Sequence, residues 1–385
     1  MGVLKLQQDR LQWATRAAVS AWSAFDAQLV IYAALLTGMG LLMGYTNSYE
    51  AGGSPFSLGS TFGRGLVWAA LAVVAFLVAA AFDYRWLKTF AWPLYLVNIG
   101  LLVLSLAIGT GVGGAARWVT IAGMQFQFSE LAKVLMAVVL ANWITSRRAK
   151  VGGLFTIVGA VVLVVPPLVL VAMQPDLGTS LVFAAMLVGV LFVSGASLRW
   201  LAVGVAAMAA VAPFAWTYLL RDYQKQRLIS FLDPSADPLG SGYHVIQSMI
   251  AVSSGGMFGQ GLTNGTQSQL DYLPVQSTDF VFSILAQQLG FLGVLVVLLL
   301  FAALIWRVLL AAWRSEDTFG LAFAAAIASM LLFQVLVNVG MTIGIMPVTG
   351  IPLPFITHGG ASLISIAFGL GVLQSINLRQ VRPKW

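Results

Sequence analysis

Ten apolar stretches, most of them near the roughly 20 residues that carry an α-helix across a hydrocarbon core, dominate this chain. They run over 27–45, 65–82, 90–108, 129–145, 153–173, 178–193, 198–220, 279–306, 319–345 and 359–377. In a bilayer every backbone N–H and C=O must be satisfied without water, so uninterrupted apolar runs of this length are helices. The expected fold is all-α integral membrane, with about ten transmembrane helices and a large extracytoplasmic loop between helices seven and eight. The sequence predicts one polytopic domain over 27–385, preceded by an amphipathic cytoplasmic-face segment over 1–26. Within the long loop, 243–254 is expected to form a short interfacial helix, and 347–360, rich in Pro and Gly, a re-entrant loop that lines protein or water.

Composition enters as a constraint on function. With 59% hydrophobic and 9% charged residues the chain is unsuited to life as a soluble globule. The net charge of +7 points to no nucleic-acid partner, because no basic run is long enough to grip a phosphate backbone. Counted by loop, Lys and Arg divide about fourteen to five in favour of the side holding both termini, which puts both termini in the cytoplasm. The absence of cysteine excludes disulfides, thiolate metal sites and a cysteine nucleophile. His244 and His358 lack a partner at zinc-binding spacing, so no metal site is expected from them. The paired aspartates Asp233 and Asp237 each precede proline and read as turns rather than a cation site.

Ionisable side chains within or at the edge of spanning segments carry the functional information, since each is costly in hydrocarbon unless paired. These are Glu130, Lys133, Asp176 and Asp279. Glu130 and Lys133 share a helix face at i and i+3. Asp176 lies in the helix-breaking run Gln174-Pro175-Asp176-Leu177-Gly178, from which it is expected to reach Lys133 on a neighbouring helix. Asp279 closes the polar stretch from Asp271 and opens an apolar one; it suits both a catalytic carboxylate and a helix cap. Arg117, beside Trp118, reads either as a bidentate pyrophosphate contact or as a lone interfacial cation. The run from Gly109 to Gly114 formally matches a nucleotide-binding fingerprint but follows a membrane helix, so it reads as a turn.

Several ordered motifs together resemble the SEDS family of bacterial cell-wall polymerases, whose members include RodA and FtsW. They are Ala116-Arg117-Trp118, the run from Phe126 to Lys133, Gln174 to Thr179, Gln226-Arg227 with Asp233-Pro234, Gly242-Tyr243 with Gln247-Ser248, Ser277 to Phe280, and Pro347 to Phe355. The run from Asn338 to Gly344 is more similar to RodA, the elongation member. The sequence departs from the family at Gln287-Gln288, where two glutamates are frequent, and at Phe128, Ala116 and Thr357-His358.

The resemblance implies a multi-pass glycosyltransferase of the bacterial cytoplasmic membrane that polymerises lipid II beside a class B penicillin-binding protein. It implies Asp279 as the catalytic residue and Glu130, Lys133 and Asp176 as buried polar positions. Joining two lipid-linked sugars needs a base for the acceptor hydroxyl and cations for a pyrophosphate leaving group. Asp279 supplies the base, with Arg117, Lys133 and Arg227 as candidate pyrophosphate contacts; a divalent cation cofactor stays open. The rival readings are a flippase for lipid-linked sugars and a non-catalytic scaffold for the penicillin-binding protein.

Overall fold

The computed structural model describes residues 25–50, 54–57, 59–109, 117–121, 124–147, 152–236, 242–263 and 279–380. The amphipathic reading of 1–24, the glycine run 110–114, Asp237 and the stretch 271–278 lie outside the described residues.

Long helices occupy all ten apolar stretches. They are α1 (Ala27–Glu50), α2 (Thr61–Ala81), α4 (Ala91–Ile108), α5 (Phe128–Ser146), α6 (Leu154–Met173), α7 (Leu177–Val193), α8 (Leu198–Phe214), α11 (Val281–Arg314), α12 (Thr318–Thr342) and α13 (Gly360–Gln380). Eight of them are long and apolar enough to cross a membrane, while α7 and α8 are shorter apolar helices. The chain is a multi-pass membrane protein. The short α3 (Tyr84–Thr89) lies between α2 and α4.

Burial sorts the helices into centre and rim. Of the most apolar windows, 78% of residues are buried in α13 and 72% in α5 and α12, against 11% in α2, so α5, α12 and α13 form the centre while α2 faces largely outward. Small residues explain the close central packing. Gly320, Ala322, Ala324, Ala325, Ala326 and Ala328 are all buried on α12, and a Cβ on Gly189 of α7 would overlap Ser329 Oγ. At the end of the bundle where α1 begins, Arg307 Nη2 pairs with Asp26 Oδ2 at 2.8 Å, clamping α11 to α1.

At the other end the connections build structure of their own. Here a hairpin of β1 (Val119–Ile121) and β2 (Met124–Phe126) leads into α5. Between α8 and α11 lie the polar helix α9 (Asp222–Leu232) and α10 (Tyr243–Ser254), the latter matching the bounds expected from sequence. The 343–359 segment is non-helical yet buried at Ile351, Leu353, Phe355 and Ile356, as a re-entrant loop lined by protein should be.

One helix breaks where this end meets the membrane. Gly290 interrupts α11 with φ 67° and ψ −170°. The carbonyls of Gln287 and Gln288 thereby lose their usual donors four residues on. They accept instead from Gln260 N at 2.9 Å and Gly261 N at 3.1 Å, while Phe291 N and Leu292 N donate to Gly256 and Met257 at 2.8 and 3.1 Å. The loop after α10 is thus stitched into the kink, pairing the carbonyls of Gln287 and Gln288 and the amides of Phe291 and Leu292 across the break.

Candidate active site

The site forms where the corner between α6 and α7, the helices α9 and α10, the start of α11 and the 343–359 loop converge. Its floor is the Gln174-Pro175-Asp176 corner. Arg117 Nε donates to Gln174 O at 2.9 Å and Arg117 Nη2 donates to Pro175 O. Tyr223 on α9 donates to the same Pro175 carbonyl at 3.0 Å. Gly178, in the first turn of α7, touches the 343–359 loop: a Cβ there would meet Thr349 O at 2.8 Å.

Asp279 stands outside the helix it precedes. The cap position of α11 is Phe280, so the helix-cap reading of Asp279 is corrected: its carboxylate sits one residue beyond the cap. Its backbone is held firmly, because Asn338 Nδ2 donates both to Asp279 O at 3.3 Å and to Ile351 O at 2.8 Å. Gly350, at φ 75°, turns its Cα face toward the site. A Cβ built on it would lie 3.4 Å from Asp279 Oδ2 and 3.9 Å from Arg227 Nη1. Arg227 lies over the Tyr223 ring at 5.8 Å and reaches Val348 O at 3.4 Å. A carboxylate and a guanidinium from distant parts of the chain therefore meet over one glycine.

His244 completes the group. Its ring stacks on Phe280 with centroids 6.2 Å apart. Burial and the Arg227 guanidinium push its pKa below the usual 6.5, against the opposing pull of Asp279. Ser248, one turn further along α10, is hydrogen-bonded to Ser283 Oγ at 2.6 Å and Thr342 O at 2.8 Å, which fixes α10 against α11 and α12.

The remaining residues singled out by sequence are placed differently from expectation. Lys133 does not pair with Asp176. Its Nζ lies 2.8 Å from both oxygens of Glu130, and the two side chains are 1% and 2% exposed. Asp176 instead caps α7, accepting from Thr179 N at 3.1 Å, and accepts from Gln127 Nε2 at 3.0 Å. The i,i+3 neighbour wins because it is already on the same face, whereas Asp176 is held at its own helix start. At about 1.5 Å per residue Lys133 lies roughly 9 Å along α5 from Gln127, closed off from the surface. Arg117 also differs from the pyrophosphate reading, since its Nε and Nη2 hold backbone carbonyls. Asp233 accepts from Ser235 N at 3.1 Å, and among the described residues no three His, Asp or Glu side chains gather as metal ligands.

A family model described as Cell cycle protein, covering FtsW, RodA and SpoVE, matches residues 27–381. The chain belongs to this family. It is 44% identical over 308 residues to the peptidoglycan glycosyltransferase MrdB of Escherichia coli K12, spanning 80% of this chain and 83% of that one. It is 31% identical over 431 residues to the peptidoglycan glycosyltransferase RodA of Treponema pallidum, covering 93% and 99%. Among solved structures it is similar to a chain of a peptidoglycan synthase complex that coordinates polymerization and crosslinking, with TM-score 0.78 and 31% identity, covering 93% of this chain and 99% of that one.

Sequence reasoning missed two parts of this site. His244 carries no motif spacing, and its position beside Phe280 follows from how α10 docks. Gly350 shows itself in sequence only as one of several turn glycines, although the Thr349-Gly350 pair inside a proline-rich run is the signal that finds it.

Proposed function

We propose that this chain, a peptidoglycan glycosyltransferase like the relatives it matches, joins lipid II units into glycan strands with Asp279 as general base. The observation carrying this reading is the approach of Asp279 Oδ2 and Arg227 Nη1 to the same point above Gly350, at 3.4 and 3.9 Å. Asp279 takes the proton of the acceptor hydroxyl as its oxygen attacks the anomeric carbon of the donor. The bond from that carbon to the lipid pyrophosphate breaks, and the pyrophosphate leaves on its lipid beside the Arg227 cation. Arg117 and Asp176 support the site by fixing the corner beneath it, and the Glu130–Lys133 pair holds α5 behind it.

The distribution of Lys and Arg favours a site that faces outward from the cytoplasmic membrane, with both termini in the cytoplasm. Both lipid tails then stay in the bilayer while the sugars meet above it. The resemblance to a chain of a peptidoglycan synthase complex supports a class B penicillin-binding protein as the crosslinking partner. The purified chain, supplied with lipid II in detergent with and without that partner, is expected to form glycan strands. No polymer under either condition, from correctly folded protein, would favour a flippase or a scaffold instead.

A further inference from the structure

His244 is fixed at the active site yet has no part in the chemistry described above. It lies in the first turn of α10, four residues before the Ser248 anchor and therefore on the same helix face. Its ring is held between Phe280, the residue following Asp279, and the Tyr243 ring at 5.8 Å. Its Nδ1 is buried without a hydrogen-bond partner. A neutral imidazole tolerates this as one unpaired acceptor, whereas an imidazolium must place a buried donor.

The surroundings decide which group receives that donor. Arg227 on α9 and Asp279 ahead of α11 both act on the His244 charge, with opposite sign. Asp233, at the end of α9, is held by Ser235. Asp222 and Lys225 lie on faces of α9 other than that of Arg227. Residues 281–289 of α11, 330–342 of α12 and 343–357 carry no charged side chain, and His358 lies away against α1, where a Cβ on Gly44 would overlap it. Asp279 is the carboxylate whose charge acts on the ring, and it immediately precedes the Phe280 on which the ring stacks.

We propose that His244 is a positioning residue that sets the acid limit of the reaction: neutral, it leaves the Asp279 carboxylate to the substrate, and protonated, it captures that carboxylate as an ion pair. This rests on Asp279 being the base. The consequence is a rate that declines in mild acid, by about tenfold for each pH unit below the imidazole pKa. The lowered His244 pKa keeps the ring neutral near pH 7, which suits an enzyme working there.

The test is the initial rate of glycan formation from lipid II by the purified full-length chain between pH 5 and pH 9, with thermal midpoints checking the fold. In His244→Gln, which cannot titrate, the acid limb should move to lower pH, so the ratio of the rate at pH 5.5 to that at pH 8 should rise, by less than about tenfold because the imidazole pKa lies below 6.5. His244→Asn replaces it if the glutamine variant does not fold. His244→Lys, a permanent cation, should be slow throughout the range. An acid limb unchanged in the glutamine or asparagine variant, or a lysine variant as fast as the parent at pH 8, overturns the proposal. So does a folded glutamine variant inactive at every pH, because the imidazole would then take part in the reaction itself. Asp279→Asn in the same series separates the two ideas: an active asparagine variant removes the base assignment, whereas an inactive one with an unmoved limb in His244→Gln removes only the role of His244.

Discussion

Removing Lys133 alone should harm the protein more than removing Lys133 and Glu130 together. Their side chains are 1% and 2% exposed and joined by two contacts of 2.8 Å, so either charge left alone is buried in an apolar helix bundle. Breaking a buried pair on one side typically costs about 3 to 5 kcal/mol, most of it from the charge left uncompensated, while replacing both partners by apolar groups of similar shape is often near neutral. Lys133→Met and Glu130→Leu should each lower the thermal midpoint in detergent markedly, and the double substitution should recover most of the loss. Asp176→Asn should cost far less, about 1 kcal/mol, since asparagine still caps α7. The measurement is a double-mutant cycle on thermal midpoints. Additive losses from Lys133 and Glu130, or strong coupling of Lys133 to Asp176 instead, would refute the pairing.

Two further predictions address the site and its orientation. Gly350→Ala places a methyl 3.4 Å from Asp279 Oδ2 at a positive φ; it should lose about 1 to 2 kcal/mol of stability and most glycan synthesis, with Gly359→Ala as the control in the same assays. A single cysteine at Ser241 should react with an impermeant maleimide in intact cells and one at Ala149 should not, with no background because the chain has no cysteine; the reverse pattern would invert the orientation.

The spanning helices were legible because the bilayer reduces the problem to length and hydropathy. Even the short helix from Leu177 to Val193 falls within a residue of the apolar stretch that marks it. Elements outside the apolar stretches were harder. The polar α9 has no long apolar run, and the hairpin strands are three residues each, too short for alternation to stand out. The kink in α11 was hidden because Gly290 lies within an apolar run, and only the docking of 255–261 makes its φ of 67° necessary. At the candidate site the sequence marked Asp279 and Arg227 separately, but their meeting depends on Gly350, more than sixty residues further on, and on how the re-entrant loop folds back. The partner of Lys133 is hidden in the sequence for a related reason. Two carboxylates were within sequence-level reach, and only the placement of Asp176 at its own helix start decided between them.

The base assignment is tested most directly by Asp279→Asn in a lipid II polymerisation assay with purified, correctly folded protein and no contaminating polymerase. Asparagine keeps the shape of the side chain and removes its basicity, and the helix start should hold because Phe280 occupies the cap position. A positioned base contributes about 10² to 10⁴ in rate, so glycan formation should fall by at least roughly that factor while the thermal midpoint stays close to that of the parent. Polymerisation by the asparagine variant at near the parent rate would contradict the account.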